Sequence, residues 1–229
     1  MTRRKSSALV LFDIDGTLVR RAGPHHREAL VDAVRAITGL ETTTDHIPVH
    51  GMLDPDILTR MMRDIGKPAA FVRRHLPAIM RRAQAIYARS CPDLRRKTCP
   101  GVRRILSGLK RRGVPVGLVT GNLTRIGWKK MDCAGLRQYF RFGAFAETAP
   151  DRAALARNAI AYARRRKWID GNARISLIGD APSDVLAARA NGIQSIAVHT
   201  GISTRVELAA LEPDVLLEDL RGLKIGMLV

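Results

Sequence analysis

The sequence predicts an α/β protein: a three-layer, Rossmann-like core on a parallel sheet, with an α-helical cap domain inserted after the first core strand. Three observations predict it. Short apolar runs alternate with helix-like stretches, polar residues gather where the runs end, and a long helical stretch separates the first run from the second.

Residues 7–14, SALVLFDI, form an unbroken apolar run that ends at Asp13, Asp15 and Gly16. That is the pattern of a parallel strand buried on both faces, with its polar end at the ligand crevice. Residues 115–120, 175–179, 195–199 and 214–217 repeat it, with helical spacing between them. The stretch after the first run is far too long for one crossover helix. The predicted division is therefore a core of residues 1–19 and 99–229 and a helical insert of residues 20–98, with Pro100-Gly101 turning the chain back. Within the insert Phe71, His75, Leu76, Ile79, Met80, Ala83, Ile86 and Tyr87 recur at helical spacing, and Pro77 is expected to kink or restart that helix.

The 229 residues are 46% hydrophobic and 26% charged, the balance of a globular chain with one substantial core and an accessory unit. The apolar runs are too short to cross a bilayer. Residues 1–5 are basic and precede apolar residues, but Asp13 interrupts the apolar stretch before a leader could form, so the cytoplasm is the expected compartment. Cys91, Cys99 and Cys133 form no closely spaced pair and read as reduced thiols rather than a disulfide or zinc framework. A net charge of +18 predicts nonspecific affinity for polyanions, nucleic acid among them. The basic residues are spread over insert and core and are not interleaved with aromatics, which argues against a dedicated nucleic-acid groove. The oligomeric state is not legible in the sequence.

Asp13 and Asp15 end the first strand, Thr120-Gly121-Asn122 the second, and Asp180 with Asp184 a later one. Carboxylates converging on one crevice repel unless a cation sits among them, and a hard, oxygen-ligated ion such as Mg²⁺ answers that need. A carboxylate can attack phosphorus while a second moves protons. Gly16 lets phosphate approach the backbone N–H groups.

The run LVLFDIDGTL, followed in order by VTGN and IGDAPSD, resembles the haloacid dehalogenase-like hydrolase superfamily over essentially the whole chain, and the insert resembles the helical cap of its phosphoglycolate phosphatase-like members. The resemblance implies a Mg²⁺-dependent phosphatase acting on a small phosphorylated metabolite. Asp13 is then the nucleophile and Asp15 the proton donor and later base. Thr120 holds the phosphoryl group, with Gly16, Thr17, Gly121 and Asn122 around it. Asp13, Asp15 through its carbonyl, Asp180 and Asp184 surround the metal. The family's usual Lys-Pro pair is absent, and Arg152 is the expected substitute, with Lys129 and Lys130 as alternatives. His26 and Asp54 fall where relatives touch the leaving group, although a helix-face histidine and an N-cap aspartate are the plainer readings. Met52 and Leu53 stand where many relatives carry a basic residue and a threonine, which disfavours carboxylate-bearing substrates such as phosphoglycolate.

Asp15 argues against a haloacid dehalogenase, and the lack of a cap Schiff-base lysine against phosphonoacetaldehyde hydrolase. A phosphomutase of the β-phosphoglucomutase type and, from another class, a nucleic-acid binder or nucleic-acid-end phosphatase remain as alternatives.

Overall fold

The computed structural model describes residues 5–229. The basic start at residues 1–4 lies outside them.

Six parallel strands form one sheet in the order β3-β2-β1-β4-β5-β6. They are β1 (Ser6–Phe12), β2 (Val116–Val119), β3 (Phe142–Ala144), β4 (Ile169–Gly179), β5 (Gln194–Val198) and β6 (Val215–Leu217). Strand β3 is an addition to the sequence reading. Its three residues are too short to show a period, and only pairing of Gly117 with Phe142 and of Val119 with Ala144 defines it. Strand β4 also starts earlier than its apolar run, because residues 170–173 bulge out between the pairs Ser6–Ile169 and Ala8–Arg174.

Strand β1 is central, and its alternating side chains feed two cores. Ala8, Val10 and Phe12 join Val102, Ile105, Leu106 and Leu109 of helix α4 (Val102–Arg111) on one face. Leu9 and Leu11 join Leu155, Ala156, Ala159 and Ala163 of α6 (Arg152–Arg165) and Ala187 and Ala188 of α7 (Pro182–Ala190) on the other. Period-two alternation with both faces covered gives three layers and explains the unbroken apolar run.

Between β1 and β2 the chain forms α1 (His25–Thr38), α2 (Asp54–Asp64) and α3 (Ala69–Ser90). Their third core contains Leu30, Val34, Leu58, Met61, Ile79 and Tyr87, and it also takes in Leu123 and Ile126 at the start of α5 (Thr124–Cys133). The inserted helices thus rest directly on the sheet-bound part. The chain leaves and re-enters side by side, with Arg20 N donating to Lys97 O and Cys99 N to Leu18 O, both at 2.9 Å. Helix α3 runs through Pro77 without a break, so the restart that the sequence allowed does not occur. Buried Val72 before the proline and Ile79, Ala83 and Tyr87 after it hold both halves in one helix. A short α8 (Arg205–Ala209) precedes β6. Among the described residues no helix is long and apolar enough to cross a membrane.

Candidate active site

The chain runs from β1 to β2 and β3 on one side, then crosses back to β4 on the other side of β1. The carboxyl ends of β1 and β4 therefore flank the point where strand order reverses, the usual crevice of such sheets. Asp13 follows β1, and its N–H continues the ladder by donating to Ile178 O at 2.9 Å. Asp180 follows β4, and Asp184 sits in the first turn of α7.

These three carboxylates are buried, and one oxygen of each lies within 4.8 Å of the others. Arg152, the first residue of α6, donates from Nη1 to Asp13 Oδ1 at 2.8 Å and lies 3.3 Å from Asp184 Oδ1. Lys129 and Lys130 make no such contact with Asp13. Burial works against the Arg152 charge, but Asp184 and Asp13 outweigh it and raise its proton affinity. Burial and repulsion from Asp13 and Asp184 push Asp180 well above the carboxylate range. Burial, only partly offset by Arg152, pushes Asp184 up to about 7.

Asp180 Oδ2 and Asp184 Oδ1 are buried and accept no hydrogen bond. Thr17 Oγ1 donates to Asp180 Oδ1 at 2.8 Å, and Ala181 N to Asp184 Oδ2 at 3.1 Å. Two buried oxygens that accept no hydrogen bond, in a nest of hard oxygen ligands, fit a divalent cation such as Mg²⁺. Gly16 closes the nest: its φ is +82°, and a Cβ there would strike the Asp180 carboxylate.

Asp15 belongs to a separate group, and its carboxylate is not part of the acidic cluster. Lys130 Nζ lies 2.7 and 2.6 Å from its two oxygens, and Asn122 Nδ2 donates to Oδ2 at 2.8 Å. Desolvation raises the Asp15 pKa, but Lys130, His26 and these hydrogen bonds more than offset that and hold it below the ordinary value. Asn122 Nδ2 also donates to Thr120 Oγ1 at 2.8 Å.

A cavity of about 250 Å³ joins these groups and is walled by the insert through Leu30, Val49, Met52, Ile57 and Tyr87. His26 and Asp54 line it too, but they bond each other at 3.1 Å, and Asp54 Oδ2 also takes the Leu123 N–H at 2.8 Å. Asp54 opens α2 and is spent on the backbone of the opposite loop. Gly121 has no side chain because Met52 O occupies the space a Cβ would need.

A model of the haloacid dehalogenase-like hydrolases matches residues 8–192. The chain belongs to this haloacid dehalogenase-like hydrolase family. It is similar to the phosphoglycolate phosphatase of Pseudomonas syringae pv. syringae, with 29% identity over 233 residues, 98% of this chain and 81% of that one. The phosphoglycolate phosphatase of Agrobacterium fabrum is 28% identical over 97% of this chain and 93% of its own. Among solved structures, β-phosphoglucomutase from Clostridium difficile superposes with a TM-score of 0.70 at 15% identity, covering 96% and 94% of the two chains. CbbY from Rhodobacter sphaeroides in complex with phosphate gives 0.69 at 21% identity, covering 94% and 95%. These two share the fold. As a haloacid dehalogenase-like hydrolase the chain is an enzyme of the phosphatase type.

Two neighbours of the site take positions that the sequence did not assign to them. His50 Nε2 lies 2.8 Å from Ser203 Oγ and 3.6 Å from Asp180 Oδ2, and burial lowers its pKa. Lys130 turns toward Asp15 rather than Asp13. It lies on α5, the helix that begins just after Thr120-Gly121-Asn122.

Proposed function

We propose that this enzyme hydrolyses a small organic phosphate monoester through an aspartyl-phosphate on Asp13. An Asp13 oxygen attacks phosphorus in line, and the bond to the leaving oxygen breaks as that oxygen takes a proton from Asp15, which must take that proton up on substrate binding against the pull of Lys130. Asp15 then takes a proton from water, whose oxygen attacks phosphorus. The Asp13–phosphate bond breaks, and inorganic phosphate leaves with both residues restored.

The reading is carried by the 2.8 Å contact of Arg152 with Asp13 inside a cluster where two buried carboxylate oxygens accept no hydrogen bond. Arg152 holds the nucleophile and neutralises phosphate charge, a task suited to its paired donors. Thr120 and Asn122, which bond each other beside Asp15, offer polar contacts to the phosphoryl oxygens. Asp13, Asp180 and Asp184, with the Asp15 carbonyl, would hold Mg²⁺. When bound, the ion supplies positive charge that neutralises the phosphoryl oxygens. A small cavity roofed by apolar residues of the insert favours a small substrate and excludes water around it.

A panel of phosphate monoesters, phosphoglycolate and a neutral alkyl phosphate included, tests the reading by phosphate release with Mg²⁺ and with EDTA. Turnover should require Mg²⁺ and vanish in Asp13→Asn. Silence across the whole panel, or full activity in Asp13→Asn, sinks it.

A further inference from the structure

Lys130 carries a buried ammonium group that the reaction above does not use. It is 1% exposed, on the inner face of α5. Burying an ammonium is expensive unless it is well paired. An ammonium has three N–H donors and no acceptor. Its partners are the Asp15 carboxylate, Asn122 Oδ1 at 2.7 Å and His26 Nδ1 at 3.1 Å.

That allocation fixes the neighbouring protons. Because His26 Nδ1 accepts from Lys130, its ring proton is on Nε2 and goes to Asp54 Oδ2. With its oxygen occupied, Asn122 turns its amide nitrogen to Asp15 Oδ2 and Thr120 Oγ1. The chain of contacts runs from Asp54 on α2, through His26 on α1 and Lys130 on α5, to Asp15. A carboxylate stands at each end of it, and the Lys130 ammonium is the cation between them. Asp54 is in turn anchored by the Leu123 N–H, so both ends are tied to backbone of the sheet-bound part. The Asp15 side chain itself is 45% exposed, and among the described residues Asn122 is its one other hydrogen-bond partner besides Lys130.

We propose that Lys130, steered by His26 and Asp54, is a positioning residue that fixes the orientation of the Asp15 carboxyl group for proton transfer to the leaving oxygen. The proposal rests on the reading of Asp15 as proton donor. Lys130 keeps its own protons throughout. A misplacement of about 1 Å costs roughly 10²-fold in a positioned reaction, within the range that general acid catalysis supplies.

The test compares kcat/KM for an alkyl phosphate and for 4-nitrophenyl phosphate in the Mg²⁺-loaded enzyme. Nitrophenolate departs without a proton, whereas an alkoxide needs one. Lys130→Met should lose about 10²-fold on the alkyl ester and less than about 10-fold on the nitrophenyl ester. His26→Ala should shift the selectivity in the same direction by a smaller factor, and it decides the matter if Lys130→Met does not fold. Asp15→Asn separates the two ideas. Equal losses on both esters in Asp15→Asn overturn the acid role and this proposal with it. Ester-selective loss in Asp15→Asn with equal losses in Lys130→Met, or in a deciding His26→Ala, overturns the proposal alone.

Discussion

Replacing Arg152 with methionine removes the guanidinium from among three buried carboxylates and leaves a shorter, unbranched apolar side chain. Arg152 is 6% exposed and donates to Asp13 Oδ1 at 2.8 Å, Val119 O at 3.3 Å and Gly51 O at 3.4 Å. Breaking a buried ion pair from one side costs about 3–5 kcal/mol, because the stranded charge stays desolvated. A domain of this size has a total stability on the order of 5–15 kcal/mol, and each kcal/mol moves its melting point by about 2–4 °C. In EDTA, Arg152→Met should therefore melt about 6–20 °C below the parent. Adding Asp13→Asn removes one of the stranded anions, so the double variant should be more stable than the sum of the single effects by about 0.5–3 kcal/mol. Urea unfolding with EDTA in every buffer measures all four proteins. Parent-like stability of Arg152→Met, or strict additivity with Asp13→Asn, would show that the guanidinium is not balancing the cluster and would refute the reasoning.

Three further outcomes follow from the same geometry. Mg²⁺ should stabilise the parent by about 2.7 kcal/mol at a hundred times its Kd; Asp180→Asn should abolish that gain yet equal or exceed the parent in EDTA, since one repelling charge is gone while Thr17 can still donate to the amide oxygen. Gly121→Ala should push the Met52 carbonyl and its loop off the site, lowering kcat/KM and costing about 1–3 kcal/mol of stability; an unchanged kcat/KM would contradict the close approach. Asp214 is held below its ordinary value of 3.8 by the N–H and hydroxyl of Ser195. Its contribution is therefore present above that pH and lost as pH falls through the folded-state value, so melting curves of the parent and Asp214→Asn should converge in acid.

The alternation of β1 was readable from the sequence because a strand buried on both faces needs an apolar residue at every position, and Ala8 through Phe12 supply five in a row. The short β3 was not readable. A three-residue edge strand carries no period, and its pairing partner lies about 25 residues away in sequence. At Pro77 the restart that the sequence allowed did not occur, for a related reason. The local rule against proline is outweighed where buried residues hold the helix on either side of it. For His26 and Asp54 the sequence left substrate contact open, whereas their ring nitrogens and carboxylate are engaged with Lys130, each other and Leu123.

Sequence alone determined the sheet apart from its short β3, the helical layers and the family, because strand ends with acidic residues and glycine turns are local features whose order along the chain is enough. The pairing of Lys130 with Asp15 was decided only by tertiary structure. The sequence favoured Arg152 over Lys130 as the partner of Asp13, but it gave no sign that Lys130 pairs with Asp15. The crossing back from β3 to β4 sets α6 so that Arg152 enters beside Asp13 and Asp184, while α5, pinned under the inserted helices by Leu123 and Ile126, delivers Lys130 to Asp15. A carboxylate beside a guanidinium in a metal nest and a carboxylate clasped by a lysine face different chemistry, and that difference exists only once the sheet has folded.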